Sequence, residues 1–378
     1  MKQIGLYIHI PFCEKKCHYC DFTSVPANRE LIKKYEKYLI KELLIQAEKY
    51  GNHTISTIFI GGGTPSILDE KSIGNILRSI RESFAINPDA EISMEINPGT
   101  LTYEKAMGYK KAGINRVSMG IQSMNDNTLR LIGRIHNEHQ VDSTVDILRK
   151  VGFDNINGDL IFGLPHQSVD DFHKTLDRVI ELNLEHISMY GLILEEDTLL
   201  YHWYKKGLVT MPSEDEERQM YHSGIQILEQ NGYRQYEISN LAKKGFECRH
   251  NLGYWMLNPY IGVGLSSHSS IDNRRYWNTS LFNEYFRMID EDLLPISGEE
   301  IVTADLRESE YLILRIRLNE GISLIDYKTR FNQSFMHKYE NIIEKHIESG
   351  LLKIIDDKII LTEKGKDLSN LVEVDFLP

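Results

Sequence analysis

The chain of 378 residues is 41% hydrophobic and carries 55 acidic against 43 basic side chains, a formal charge of −12. That is enough apolar content for a substantial core and more than one domain, and the negative balance excludes a broad electrostatic hold on nucleic acid or anionic lipid. No run of about eighteen apolar residues is present to span a membrane, and residues 1–12 lack the charged and long apolar regions of a signal peptide, so a cytoplasmic protein without a transmembrane segment is expected.

The first strand-like stretch, Gly5-Leu-Tyr7-Ile-His9-Ile-Pro-Phe12, runs straight into Cys13-Glu-Lys-Lys-Cys17-His-Tyr-Cys20. Three of the four cysteines of the chain thus fall within eight residues, a concentration that points to a shared ligand, and the odd count does not suit a disulfide framework. The spacing fits an iron–sulfur cluster or a metal ion. A zinc clasp would recruit a fourth ligand from His9, His18 or Cys248, although Cys248 by itself reads as a small buried hydrophobe.

Beyond the cysteine loop, apolar residues at helical spacing predict a helix over Arg29–Tyr50. A strand over Ile55–Ile60 then breaks into Gly61-Gly62-Gly63-Thr64-Pro65, and a helix follows over Asp69–Phe84. The same unit recurs: strand Glu91–Ile96 with helix Tyr103–Ala112, strand Arg116–Ile121 with helices between Asn125 and Val151, strand Asn155–Phe162 with helix Val169–Leu182, and strand His186–Leu192. Such alternation implies parallel strands joined by right-handed crossovers. Tyr7, the cysteines, the glycine loop, Glu95, Gln122 and Asp159 all stand at the ends of these strands, which a barrel gathers at one mouth. An α/β fold is therefore expected, a partial (β/α)6 barrel over residues 1–200.

Residues 201–300 read as an accessory α+β region, with a helix over Ser213–Asn231 opened by a Ser213/Glu216 capping box. Helices over Thr303–Leu318, Ser323–Phe331 and Asn332–Ser349, followed by Leu352–Ile355 and Lys358–Leu361, suggest a small winged-helix-like domain over residues 301–378. It carries no basic stripe, so no nucleic-acid partner is expected.

Cys13-x-x-x-Cys17-x-x-Cys20 with Tyr19, preceded by Tyr7-Ile-His-Ile-Pro-Phe, resembles the radical S-adenosylmethionine (SAM) enzymes, and more narrowly their branch related to oxygen-independent coproporphyrinogen III dehydrogenase. Gly61-Gly-Gly-Thr-Pro65, Glu95-Ile-Asn-Pro98, Gly120-Ile-Gln122, Gly133-Arg134-Ile-His136 and Asp159-Leu-Ile-Phe-Gly163 carry the likeness along the chain. The resemblance implies a radical SAM barrel whose three cysteines hold a [4Fe-4S] cluster. An open iron would chelate SAM, which an electron cleaves to a 5'-deoxyadenosyl radical. It implies further that Gly62 and Gly63 let the backbone approach the cofactor, and that Glu95 pairs with its ammonium and Thr64 and Arg134 with its carboxylate. Gln122 and Asp159 would take the ribose, Tyr19 would pack near the adenine, and Tyr7 would lie near the sulfonium.

Phe22 stands where the dehydrogenase cluster motif has a further cysteine, which argues against decarboxylation of coproporphyrinogen and leaves no catalytic residue to assign. With His250-Asn251-x-x-Tyr254-Trp255, this departure resembles the heme-chaperone branch of the family. The branch implies a protein that binds heme and passes it to acceptor proteins, respiratory enzymes included, and that works in the cytoplasm or at the inner membrane face. His250 would ligate heme, Tyr254, Trp255 and Tyr260 would pack on it, Arg249 would meet a propionate, and Cys248 or His268 would serve as second axial ligand. Without the resemblance, His250 reads as a hydrogen-bonded core residue. The dehydrogenase activity is the alternative.

Overall fold

The computed structural model describes residues 2–377. Six strands alternate with helices through the first half of the chain: β1 (Gln3–Ile10), β2 (Thr54–Gly62), β3 (Ala85–Ile96), β4 (Arg116–Gln122), β5 (Ile156–Phe162) and β6 (His186–Gly191). They pair in chain order and all run parallel. The two ends of this run do not pair with each other, so the barrel is partial. Side chains set the crossover helices: Asp69 caps Glu70–Ser83, and capping boxes from Asn137 and Ser168 open Glu138–Val151 and Val169–Glu181.

The period of two along each strand divides apolar from polar surface. Leu6, Ile8 and Ile10, then Ile58 and Ile60, Met94 and Ile96, Met119 and Ile121 are buried against the helix layer, each contributing about 2 kcal/mol of burial. The alternate positions face the lumen: Glu91, Ser93 and Glu95 on β3, Arg116 and Ser118 on β4, Asn157 and Asp159 on β5, His186 and Ser188 on β6. They bond to one another, for example Asn157 Nδ2 to Ser118 Oγ at 2.7 Å and His186 Nδ1 with Asn157 Oδ1 at 2.6 Å. A polar lumen is thus lined on every strand.

The segment read as accessory adds strands to the same sheet instead of forming a layer of its own. Asn240–Ala242 and Arg234–Glu237 extend it antiparallel beyond β6, while Tyr260–Val263 lies parallel to β1, followed by His268–Ile271, Arg274–Asn278 and Ile296–Ile301. Strands this short, set among turns, carry no alternation with helices that would reveal their partners. Between them the Arg249–Trp255 helix packs against β2 and Glu91 at the start of the barrel strands, the end opposite the cysteine loop.

The C-terminal helices and the Leu352–Ile355/Lys358–Leu361 hairpin surround a core of their own, built on Tyr311, Leu312, Tyr327, Phe335 and Ile359. This unit docks on the edge strand Arg234–Glu237, where Asn319 N–H donates to Tyr236 O at 3.0 Å, and so covers backbone groups an edge leaves unpaired. Among the described residues no helix is long and apolar enough to cross a membrane.

Candidate cofactor site at the barrel mouth

Leaving β1, Phe12–Cys13 pairs with Val25–Pro26, which closes the cysteine loop on itself. His18 pins the loop to the next wall of the mouth: its N–H donates to Ile132 O and its Nδ1 bonds Leu131 O, each at 2.9 Å. Cys13, Cys17 and Cys20 are free thiols at intermediate depth, and burial pushes the Cys20 thiol up to about 11. The supposed fourth zinc ligands are engaged elsewhere. His9 spends Nε2 on Thr23 O at 3.0 Å and Nδ1 on Tyr7, and Cys248 donates to Glu91 at the far end of the barrel. Among the described residues no three His, Cys, Asp or Glu side chains are gathered to hold a single ion.

The glycine loop after β2 lies against these thiols. A Cβ on Gly63 would stand 2.6 Å from Phe12 O and 3.0 Å from Cys13 Sγ, and Gly62 has φ +115° with His9 filling the space of its missing side chain. Only glycine admits that approach. Gly62 N–H donates to Glu95 Oε2 at 3.0 Å. Burial, and then the nearby Asp159 charge, push the Glu95 carboxyl up to about 8. An acid so placed lacks a cation, which an ammonium group would supply.

Thr64 donates from Oγ1 to Cys13 Sγ at 3.5 Å, and Arg134 Nη1 donates to Cys17 Sγ at 3.7 Å. Asn97 touches both donors, giving Nδ2 to Thr64 Oγ1 at 3.0 Å and receiving Arg134 Nη2 at 2.8 Å. Sequence reasoning singled out Thr64 and Arg134 and missed Asn97 as a partner, although it follows Glu95 by two residues and so shares its face of β3. Cys17, Thr64, Asn97, Gly133 and Arg134 line one narrow opening. A wider cavity of about 530 Å³ lies outside, at the start of β3, and contains no site residue.

Deeper in the mouth, Asp159 accepts from Ser118 Oγ at 3.0 Å and Asn157 Nδ2 at 2.8 Å, and burial raises its pKa. Gln122 ends β4 at φ +65°, a left-handed backbone rare for a side chain of this kind. Tyr19 packs with Ile132, Ile161 and Leu164 beside the cysteine loop. The Tyr7 hydroxyl donates to His9 Nδ1 at 2.9 Å, since His9 Nε2 must carry the proton given to Thr23 O.

His250 is not among the residues gathered at the mouth. It is 3% exposed at the opposite end, where Nδ1 bonds Thr57 Oγ1 and Nε2 bonds Tyr254 OH, each at 2.8 Å. Phe59 stacks on its ring at 5.2 Å. Burial and the Arg116 charge bring its pKa down to about 3. Glu91 anchors the segment, accepting Arg249 N–H at 2.9 Å and His250 N–H at 3.1 Å. Sequence reasoning missed Glu91 altogether. Tyr254 packs edge-on against His250 and Tyr260, and Arg317 from the C-terminal unit lies over Trp255 at 5.0 Å. Arg249 turns outward to Asp89, while His268 is exposed and stacks on Trp277.

Residues 7–179 match the Radical SAM superfamily and residues 302–368 match the HemN C-terminal domain. The chain is 35% identical over 372 residues to "Heme chaperone HemW" of Bacillus subtilis (strain 168), covering 98% of both chains. The chain belongs to the HemW family of radical SAM proteins. A second HemW protein, from Lactococcus lactis subsp. lactis, is 34% identical over all of this chain and 98% of its own. Among solved structures, coproporphyrinogen III oxidase (HemN) from Escherichia coli, described as a radical SAM enzyme, superposes with a TM-score of 0.89 at 25% identity, over 99% of this chain and 90% of that one. The fold expected from the sequence is thereby established, C-terminal unit included.

Proposed function

We propose that the chain is a heme chaperone, binding heme and delivering it to acceptor proteins such as respiratory enzymes. The observation that carries this reading is similarity to HemW proteins over 98% of both chains, well beyond the barrel alone. Phe22 adds to it, standing where the dehydrogenase branch has a further cysteine. The protein would work in the cytoplasm, reaching membrane-bound acceptors from the inner face.

In this reading Cys13, Cys17 and Cys20 hold a [4Fe-4S] cluster beside a bound SAM. The thiol set fits a cluster ligated by three cysteines, and two donors already point at its sulfurs. Glu95 takes the SAM ammonium, Thr64 and Arg134 its carboxylate, Gln122 and Asp159 the ribose, and Tyr19 lies beside the adenine. Gly62 and Gly63 leave room for the cofactor, with Tyr7 near the sulfonium. Such a cluster, when loaded, supplies the electron that cleaves SAM. What this chain contributes is the charge and hydrogen-bond frame that orients both groups and keeps water from the lumen.

Heme is the cargo, and His250 its ligand. Because both ring nitrogens are hydrogen-bonded, ligation requires the ring to give up Thr57 or Tyr254 and the Arg249–Trp255 helix to move from the barrel. Heme titration of the wild type and His250→Ala tests this, with loss of the heme spectrum expected in the variant. Equal affinity and identical spectra would remove His250 from the site. Anaerobic incubation with SAM, a reductant and coproporphyrinogen III tests the class of the protein, and robust protoporphyrinogen formation would replace the chaperone with the dehydrogenase.

A further inference from the structure

Arginine has donors and no acceptor, so the atom of Asn97 that meets Arg134 Nη2 at 2.8 Å is the carbonyl Oδ1. The amide nitrogen must then face Thr64, where it donates to Oγ1 at 3.0 Å. With that lone pair taken, the single Thr64 proton is directed at Cys13 Sγ, 3.5 Å away. Arg134 is fixed by the same amide. Its Nη2 is held between Asn97 Oδ1 and Gly120 O, at 2.8 and 2.5 Å, which leaves Nη1 aimed at Cys17 Sγ at 3.7 Å. Gly120 is needed for this closeness, since a Cβ there would lie 2.9 Å from Nη2 and 3.1 Å from Asn97 Oδ1. The amide is itself held, because Asn97 N–H donates to Ser66 Oγ at 3.1 Å and Asn97 O accepts from Thr100 Oγ1 at 2.7 Å.

We propose that Asn97 is a positioning residue for the cluster, directing one hydrogen bond from Thr64 onto Cys13 and one from Arg134 onto Cys17, and so raising the reduction potential. The physical reason is that donors to ligand sulfurs stabilise the more negative, reduced form. This rests on the reading that the three cysteines hold a [4Fe-4S] cluster.

The test is an EPR-monitored redox titration of the full chain, reconstituted anaerobically without SAM. Asn97→Asp keeps an acceptor for Arg134 but offers Thr64 a carboxylate, so the Thr64 proton turns away from Cys13. The added charge also lowers the potential directly. The same substitution in a Thr64→Val background therefore measures the charge effect alone, because no hydroxyl proton remains to turn. We expect a larger negative shift with Thr64 present than with Thr64→Val; equal shifts in the two backgrounds overturn the role of Asn97. Should the variants fail to assemble a cluster, pulsed ENDOR on the wild type decides: exchangeable protons coupled to the cluster and lost in D2O support the proposal, and their absence overturns it. A wild type that takes up no reducible four-iron cluster overturns the cysteine assignment together with the proposal, and iron and sulfide analysis distinguishes that outcome.

Discussion

The backbone N–H of His250 donates to the carboxylate of Glu91 at 3.1 Å, which ties the conserved-length segment between the fourth cysteine and Trp255 to the third barrel strand. The second Glu91 oxygen takes Arg249 N–H at 2.9 Å. Glu91→Gln retains a single acceptor and loses a charge-assisted bond worth about 1.5–3 kcal/mol. Amides of Arg249–Trp255 should then exchange roughly tenfold or more faster, with quicker heme uptake. Hydrogen exchange and stopped-flow heme binding check this, and unchanged exchange would remove Glu91 as an anchor.

Tyr254 occupies the one ring nitrogen of His250 that faces its own helix, Nε2, at 2.8 Å. Tyr254→Phe releases that nitrogen while leaving the ring in place. Leaving Nε2 unpaired destabilises the heme-free protein by about 1–3 kcal/mol, so heme affinity should rise roughly tenfold as ligation recovers part of that loss. Calorimetric Tm and heme titration measure the two effects. A lower Tm with lower affinity would mean that Tyr254 packs on heme instead of competing with it.

Glu95, held up at about 8 by burial and then by Asp159, keeps a proton that the unfolded chain releases near 4.5. The folded state binds more protons between those values, so this group's contribution to stability is full below the lower value and fades as pH rises through about 8. Glu95→Gln removes that slope and should be more stable than the wild type at pH 8 in urea unfolding. SAM should release a proton on binding and bind more tightly as pH approaches 8, since the ammonium replaces the proton on Glu95. In Glu95→Gln, titration calorimetry should show SAM binding weakened roughly tenfold to a hundredfold and no longer coupled to proton release.

Gly63 lies so close to the cysteine loop that a methyl group would meet Phe12 O at 2.6 Å and Cys13 Sγ at 3.0 Å. Both neighbours are fixed by pairing with Val25–Pro26, so the strain falls on Cys13. Gly63→Ala should fold but hold less than half the wild-type iron after anaerobic reconstitution. Full iron content with a normal cluster spectrum would show that the loop can yield.

The sequence by itself determined the barrel and its mouth. Helical spacing and capping residues such as Asp69 and Ser168 are local signals, and in a parallel barrel strand ends converge by construction, so Cys13, Thr64, Glu95, Arg134 and Asp159 could be placed together from their positions alone. The cysteine spacing did the rest. Only the tertiary structure decided how those side chains are wired. Asn97 and Glu91 stand out by no composition or spacing of their own, and their partners Arg134 and His250 lie 37 and 159 residues away in the chain. Contacts of that separation are set by strand register and by where a short helix enters the barrel, neither of which leaves a periodic trace. His250 shows the same limit: its motif was legible, whereas its burial beneath Phe59 with both nitrogens bonded follows from β2 and the Arg249–Trp255 helix packing together.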